Sequence, residues 1–162
     1  MDKTYIGIDP GQKGFITWYD GEGYEFFALK DMNGAQIADT LRMIKESSGK
    51  VVCAMESVHS IFGSSAKSTF SFGEIFGFLK GVLNTLRIPY HLVTPKVWQK
   101  EIWIHDDIVY DGKKVNTKKT SFNAATRLFP GIDLRRTSRC SSLDDNKCDS
   151  LLIAEYARRK NL

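Results

Sequence analysis

Tyr5-Ile6-Gly7-Ile8-Asp9-Pro10-Gly11, followed by Gln12-Lys13-Gly14 and Phe15-Ile16-Thr17-Trp18, decides how the rest of this 162-residue chain is read. An apolar, β-prone run delivers one carboxylate, Asp9, and then turns at once on Pro-Gly. A charge buried at the end of a core strand is costly unless something compensates it, and Pro10 withdraws a ladder donor right after it. A metal ion or the backbone of a tight turn supplies such compensation. The choice between them depends on what other carboxylates the chain brings to the same place.

Downstream, Phe15–Tyr19 ends at Asp20-Gly21, a hairpin signal, and Tyr24–Leu29 reads as the return strand of an antiparallel meander. Ile37, Ala38, Leu41 and Ile44 recur at helical spacing between Gly34 and Ser47. Val51–Met55 is a continuous apolar run, the pattern of a strand covered on both faces, and it terminates in a second carboxylate, Glu56. Ser57 to Ser71, with Gly63 among serines, reads as a mobile loop. Phe70 to Leu86 reads as a helix with Gly73, Gly77 and Gly81 on one stripe. Each of these glycines costs up to about 1 kcal/mol relative to alanine, which predicts close approach by another backbone, either the sheet or a second subunit.

Ile88–Val93 reads as a strand, and Thr94-Pro95 opens a helix through Lys100. Ile102 to Asn116 is expected to hold a small hairpin around Asp111-Gly112. A helix over Thr117–Leu128 closes at Phe129-Pro130-Gly131, and a basic, polar loop covers Leu134 to Ser142. The final helix begins near Leu143–Lys147 and carries Asp145 and Asp149 at i, i+4, on neighbouring turns of one face. Two like charges there repel unless a cation or the helix dipole offsets the cost.

The length suits one domain, spanning 1–162, with a proper core. No apolar run is long enough to span a bilayer and Met1–Thr4 shows no leader, so a cytoplasmic location and no membrane partner are expected. Cys53, Cys140 and Cys148 form no CxxC pair and are expected as reduced thiols, without a zinc signature. The net charge of +4 is modest, but Pro95 to Cys140 holds ten lysines and arginines against five acidic residues. That segment carries the whole basic excess, as either a solvated face or a nucleic-acid contact.

Asp9, Glu56, Asp145 and Asp149 lie on separate elements of an α/β core. Converging carboxylates of this kind suit two Mg²⁺ or Mn²⁺ ions, hard cations that prefer charged oxygen. Two ions about 3.5–4 Å apart would clamp a phosphodiester.

Ile6–Gly11, the strand ending in Glu56, the Gly73/Gly77/Gly81 helix followed by Val93-Thr94-Pro95 and Trp98-Gln99-Lys100, and Asp149–Ala154 together resemble the RuvC family of Holliday-junction resolvases, over nearly the whole chain and in the same order. It looks closest to the short phage and bacterial members. The resemblance implies a ribonuclease H-like α/β fold, with a mixed five-stranded sheet flanked by helices. It also implies a homodimer, Mg²⁺ dependence, and symmetric endonuclease cuts in branched DNA such as four-way junctions, within a bacterial cell or a phage-infected host. Asp9 matches the family's first-strand aspartate, Glu56 its buried-strand glutamate and Asp149 its last-helix aspartate. The companion of the last lies three positions earlier in the bacterial enzymes; here that position is Asn146. Asp145, four earlier, is taken as the fourth ligand, with Asn146 as the alternative.

The loop after Glu56 lies where the family probes the junction, so Phe62 is a candidate for stacking on an unpaired base, and Ser64, Ser65 and Lys67 for phosphate contact. Lys118 and Lys119 resemble the family's basic residues before the penultimate helix. Arg135, Arg136 and Arg139 form a further candidate phosphate patch, and His59 a candidate proton carrier. Trp98 and Trp103 are assigned to the core. Two other functions stay open. A nucleotide-binding domain of the actin-like or sugar-kinase type also uses an Asp-Pro-Gly turn, though the chain lacks a second glycine-rich phosphate loop. A branched-DNA-binding protein without catalysis is the other.

Overall fold

The computed structural model describes residues 3–57 and 65–162. Three strands, β1 (Lys3–Asp9), β2 (Phe15–Tyr19) and β3 (Tyr24–Ala28), form the expected antiparallel meander. Helix α1 (Gly34–Ser47) starts at a capping box in which Asn33 and Gln36 exchange side-chain and backbone hydrogen bonds. It leads to β4 (Lys50–Glu56), which pairs parallel with β1. Helix α2 (Ala66–Thr85) then returns the chain to β5 (Tyr90–Val93), parallel to β4. The strand order β3-β2-β1-β4-β5 makes a mixed five-stranded sheet with β1 at its centre.

After β5 come α3 (Pro95–Ile102), a small hairpin of β6 (Tyr110–Asp111) and β7 (Lys114–Val115), α4 (Thr117–Leu128) and α5 (Asp145–Arg159). Gly112 takes φ +61° in the hairpin turn, the left-handed conformation that glycine adopts without a Cβ penalty. The hairpin expected from Asp111-Gly112 is therefore present.

Alternation along the central strands builds two cores. One side of the sheet packs Ile6, Ile8, Cys53 and Met55 against Ile37 and Leu41 of α1 and Leu79 and Leu83 of α2. The other packs Tyr5, Val52 and Ala54 against Trp98 of α3, Ala124 and Ala125 of α4 and a row from Leu151 to Ala154 on α5. Helices thus cover both faces, which explains why β1 and β4 are continuous apolar runs. Among the described residues, no helix is long and apolar enough to cross a membrane, and all three cysteines are free thiols.

Two expectations are corrected. The loop placed over Ser57–Ser71 ends by Ser65, because the Ser65 hydroxyl accepts the Ser68 N–H and caps α2 five residues before the apolar periodicity becomes visible. The glycine stripe does not meet the sheet: a Cβ built on Gly73, Gly77 or Gly81 would find nothing within 4 Å. Helix α2 turns Leu79 and Leu83 to the core and leaves the glycines exposed beside Phe70 and Phe78, which are 69% and 38% exposed.

Candidate active site

The carboxylates are brought together by strand register and one close helix contact. The parallel pairing of β1 with β4, Gly7 opposite Ala54 and Ile8 opposite Met55, makes Asp9 and Glu56 finish adjacent strands at the same sheet edge. On the helical side, a Cβ at Gly7 would lie 2.0 Å from the Ser150 carbonyl oxygen and 2.5 Å from the Ala154 nitrogen. Only glycine lets α5 sit this close to β1. The buried Thr17 and Ser150 hydroxyls, 2.6 Å apart, pin the same contact through β2. This seating brings the start of α5, with Asp145 and Asp149, to the end of β1.

The turn after Asp9 is equally constrained. Gly11 takes φ +143°, the Gly14 N–H donates to the Gly11 carbonyl at 3.1 Å, and a Cβ at Gly14 would strike the Asp9 carbonyl oxygen. The Pro-Gly turn therefore folds back against the backbone of Asp9. At α5, Asp144 is the N-cap; its carboxylate accepts the Lys147 N–H at 3.1 Å and the Arg136 Nε–H at 2.6 Å. Arg136 also donates to the Lys13 carbonyl and lies over the Phe15 ring at 4.6 Å. It ties the β1–β2 turn to the start of α5.

The electrostatics record the convergence. Burial raises the Asp9 pKa well above its ordinary value, and the charges of Glu56, Asp149, Asp145 and Asp144 push it further up. Burial raises Glu56 as well, opposed by a hydrogen bond from the Trp98 indole N–H to Glu56 Oε2 at 2.7 Å. Asp149 is pushed up to about 7, chiefly by burial and then by Glu56 and Asp145, against the lowering effects of the Ser121 hydroxyl and Lys118. Its Oδ1 is buried without a hydrogen-bond partner. Asp145 instead holds the Lys118 ammonium at 2.7 Å, an interaction that raises the lysine's pKa.

Four like-charged groups facing one another, with one buried oxygen unsatisfied, match the donor chemistry of a hard divalent cation. As the side chains stand, no three His, Cys, Asp or Glu groups among the described residues are gathered tightly enough to enclose an ion. Asp145 is engaged by Lys118 and Glu56 by Trp98. Asn146 lines a polar cleft of about 340 Å³ with Lys13, Lys30, Arg136, Asp144 and Asp145. It therefore lies beside the acidic group, whereas Asp145 is the residue whose charge acts on both Asp9 and Asp149.

The basic candidates divide. Lys118 reaches the acidic group and Lys119 is exposed in the same first turn of α4. Arg135 is engaged by Asp133 and the Ser138 carbonyl, and Arg136 by Asp144, so both make intramolecular contacts, whereas Arg139 is exposed. Ser65 serves as a helix cap, and Lys67 is exposed on the first turn of α2. Phe62, Ser64 and His59 lie outside the described residues.

Two contributors escaped the sequence reading. Trp98, assigned to the core, is fully buried there and also touches Glu56. Gly7 was legible as part of the first strand, but its contact with α5 depends on a residue more than 140 positions away. The only sequence signal for Trp98 was its place three residues after Pro95, one turn into the helix that follows β5.

The fold is similar to that of RuvC. A structure of Thermus thermophilus RuvC in complex with a Holliday junction substrate superimposes with a TM-score of 0.64, over 98% of this chain and 94% of that one, at 13% identity. A second T. thermophilus RuvC structure gives 0.58, covering 98% and 96%, at 12% identity. No family model and no curated protein matches the sequence.

Proposed function

We propose that this protein is a structure-selective, metal-dependent endonuclease that cuts branched DNA, with four-way junctions as its substrate. The observation that carries the reading is the convergence of Asp9, Glu56, Asp145 and Asp149 at one end of a sheet with the RuvC fold. Asp9, at the sheet centre and acted on by the other three, would be the central ligand of the cations. Glu56 and Asp149 flank it, and Asp145 completes the set, with Asn146 as the alternative oxygen donor. Two Mg²⁺ ions, or Mn²⁺ in their place, would supply a lowered water pKa and stabilise the leaving oxygen of a phosphodiester.

The chain's own groups prepare that chemistry. Deprotonation of Asp149 and Asp9 makes them competent ligands, so cation binding is favoured as pH rises. Lys118, exposed and held by Asp145, is free to exchange that partner for a DNA phosphate once Asp145 is otherwise engaged. Lys119, Arg139 and Lys67 offer further exposed charge for the backbone of a DNA arm. In-line attack by water at phosphorus would break the P–O3′ bond, leaving a 5′-phosphate and, once the departing oxygen takes up a proton, a 3′-hydroxyl. A homodimer would present two such sites to the two sides of a junction, and the exposed Phe70 and glycine face of α2 is the surface on which it would form.

Cleavage of a mobile four-way junction, a flap and a linear duplex, compared side by side with and without Mg²⁺, tests the reading. Preferred, EDTA-sensitive cutting of the junction is expected. Junction binding without cleavage under any divalent cation would instead establish a non-catalytic branched-DNA-binding protein.

A further inference from the structure

Trp98 contributes more to Glu56 than core volume. Its ring is fully buried on α3 and meets Trp103 edge-on, with centroids 6.2 Å apart and planes at 79°. Its single polar atom, the indole nitrogen, donates to Glu56 Oε2 at 2.7 Å, a short bond of the charge-assisted kind. Burial by itself does not require such a bond here, because the Trp103 indole N–H is buried without a partner. The geometry is inherited from the sheet: β4 and β5 run parallel with Glu56 opposite Val93, and α3 begins directly after β5 with Pro95 at its first turn. Trp98 lies one turn into that helix, so the bond spans two adjacent strand ends. A phenylalanine would keep an apolar ring there, with some loss of volume, and offer no donor.

We propose that Trp98 is a positioning residue for Glu56. Its N–H commits one carboxylate oxygen and the carboxylate plane, leaving the other oxygen to serve a divalent cation. The inference rests on the metal-dependent reading of the site. A donor fixed by packing holds the carboxylate in one rotamer against the repulsion of Asp9 and Asp149, so less ordering remains to be done when the cation arrives. Hydrogen-bond partners of this kind change metal affinity by roughly 10–100-fold when removed.

The test compares Mn²⁺ binding, followed by the electron paramagnetic resonance of the free ion, in the wild-type protein, Trp98→Phe and Trp103→Phe. Trp98→Phe should weaken binding by roughly 10–100-fold, and Trp103→Phe should not. Junction cleavage by Trp98→Phe should recover at saturating cation, raising the metal concentration needed for half-maximal rate far more than it lowers kcat. Wild-type affinity in a folded Trp98→Phe protein overturns the inference. Should that variant fail to fold, the indole ¹H–¹⁵N signals of the wild-type protein decide. Mg²⁺ should move the Trp98 signal and leave that of Trp18 in place, and an unmoved Trp98 signal overturns the proposal. Failure of the wild-type protein itself to bind Mn²⁺ removes the nuclease reading along with it, whereas wild-type binding with unchanged Trp98→Phe affinity removes this inference alone.

Discussion

Gly7 is the residue on which the acidic group depends without contributing a charge to it. A Cβ there would overlap backbone atoms of Ser150 and Ala154, which cannot rotate away. Gly7→Ala is expected to lose at least about 1–3 kcal/mol, the usual cost of overpacking, in a denaturant titration, and to weaken cation binding because α5 must shift with Asp149. Asp9→Asn has the opposite profile: it removes charge from a crowded site without adding volume. It should abolish cleavage while junction binding, followed by gel mobility, persists; full activity in this variant would refute the ligand assignment.

Asp149 makes a pH prediction at the same scale. Its folded pKa is raised to about 7, so folding favours the protonated form. That contribution is fully present below the ordinary carboxylate range near 4 and is lost as pH rises through about 7. In EDTA the melting temperature should therefore climb as pH falls from 8 toward 5, and Asp149→Asn should raise it at pH 8. Cation binding needs the deprotonated form and should follow the reverse trend.

At the scale of elements, the segment that leads into the hairpin of β6 and β7 is fastened to α4. Asp107, 2% exposed, receives two hydrogen bonds from Arg127, at 2.9 and 2.7 Å, and one from the Ile104 N–H, and Arg127 also reaches the Ile102 carbonyl. Asn123 donates to the Asp107 carbonyl, and the Val109 N–H donates to Thr120 on α4. Replacing Arg127 with Met would strand a buried carboxylate. The expected loss is about 3 kcal/mol, the low end for breaking a buried pair, because the arginine side chain is itself a third exposed. Thermal unfolding measures it, and Asp107→Asn paired with Arg127→Met should recover part of the loss. This attachment reaches the first turn of α4, which carries Lys118.

Across the whole molecule, the exposed face of α2 carries the most exposed phenylalanine among the described residues, Phe70, beside three glycines. If two copies meet there, sedimentation should show a dimer at working concentration, and Phe70→Asp should give a folded monomer with impaired junction cleavage. A monomer in the unaltered protein, with and without DNA, would exclude that arrangement.

The sequence by itself determined the elements, because strand and helix periodicities, the Asp20-Gly21 and Asp111-Gly112 turns and the Pro95 helix start are local properties of the chain. It also singled out four carboxylates, since Asp9 and Glu56 end strands, where a charge stands out against apolar runs, and Asp145 and Asp149 repeat at i, i+4 on the last helix. The start of α2 was hidden because its cap and first turn, from Ser65 to Thr69, carry no apolar stripe. The exposure of the glycine stripe, the seating of α5 on Gly7, the Lys118–Asp145 pair and the Trp98–Glu56 bond were decided only by tertiary structure. Each joins or separates groups on different elements, and no spacing along the chain specifies which side chains a parallel register and a close helix contact will bring face to face.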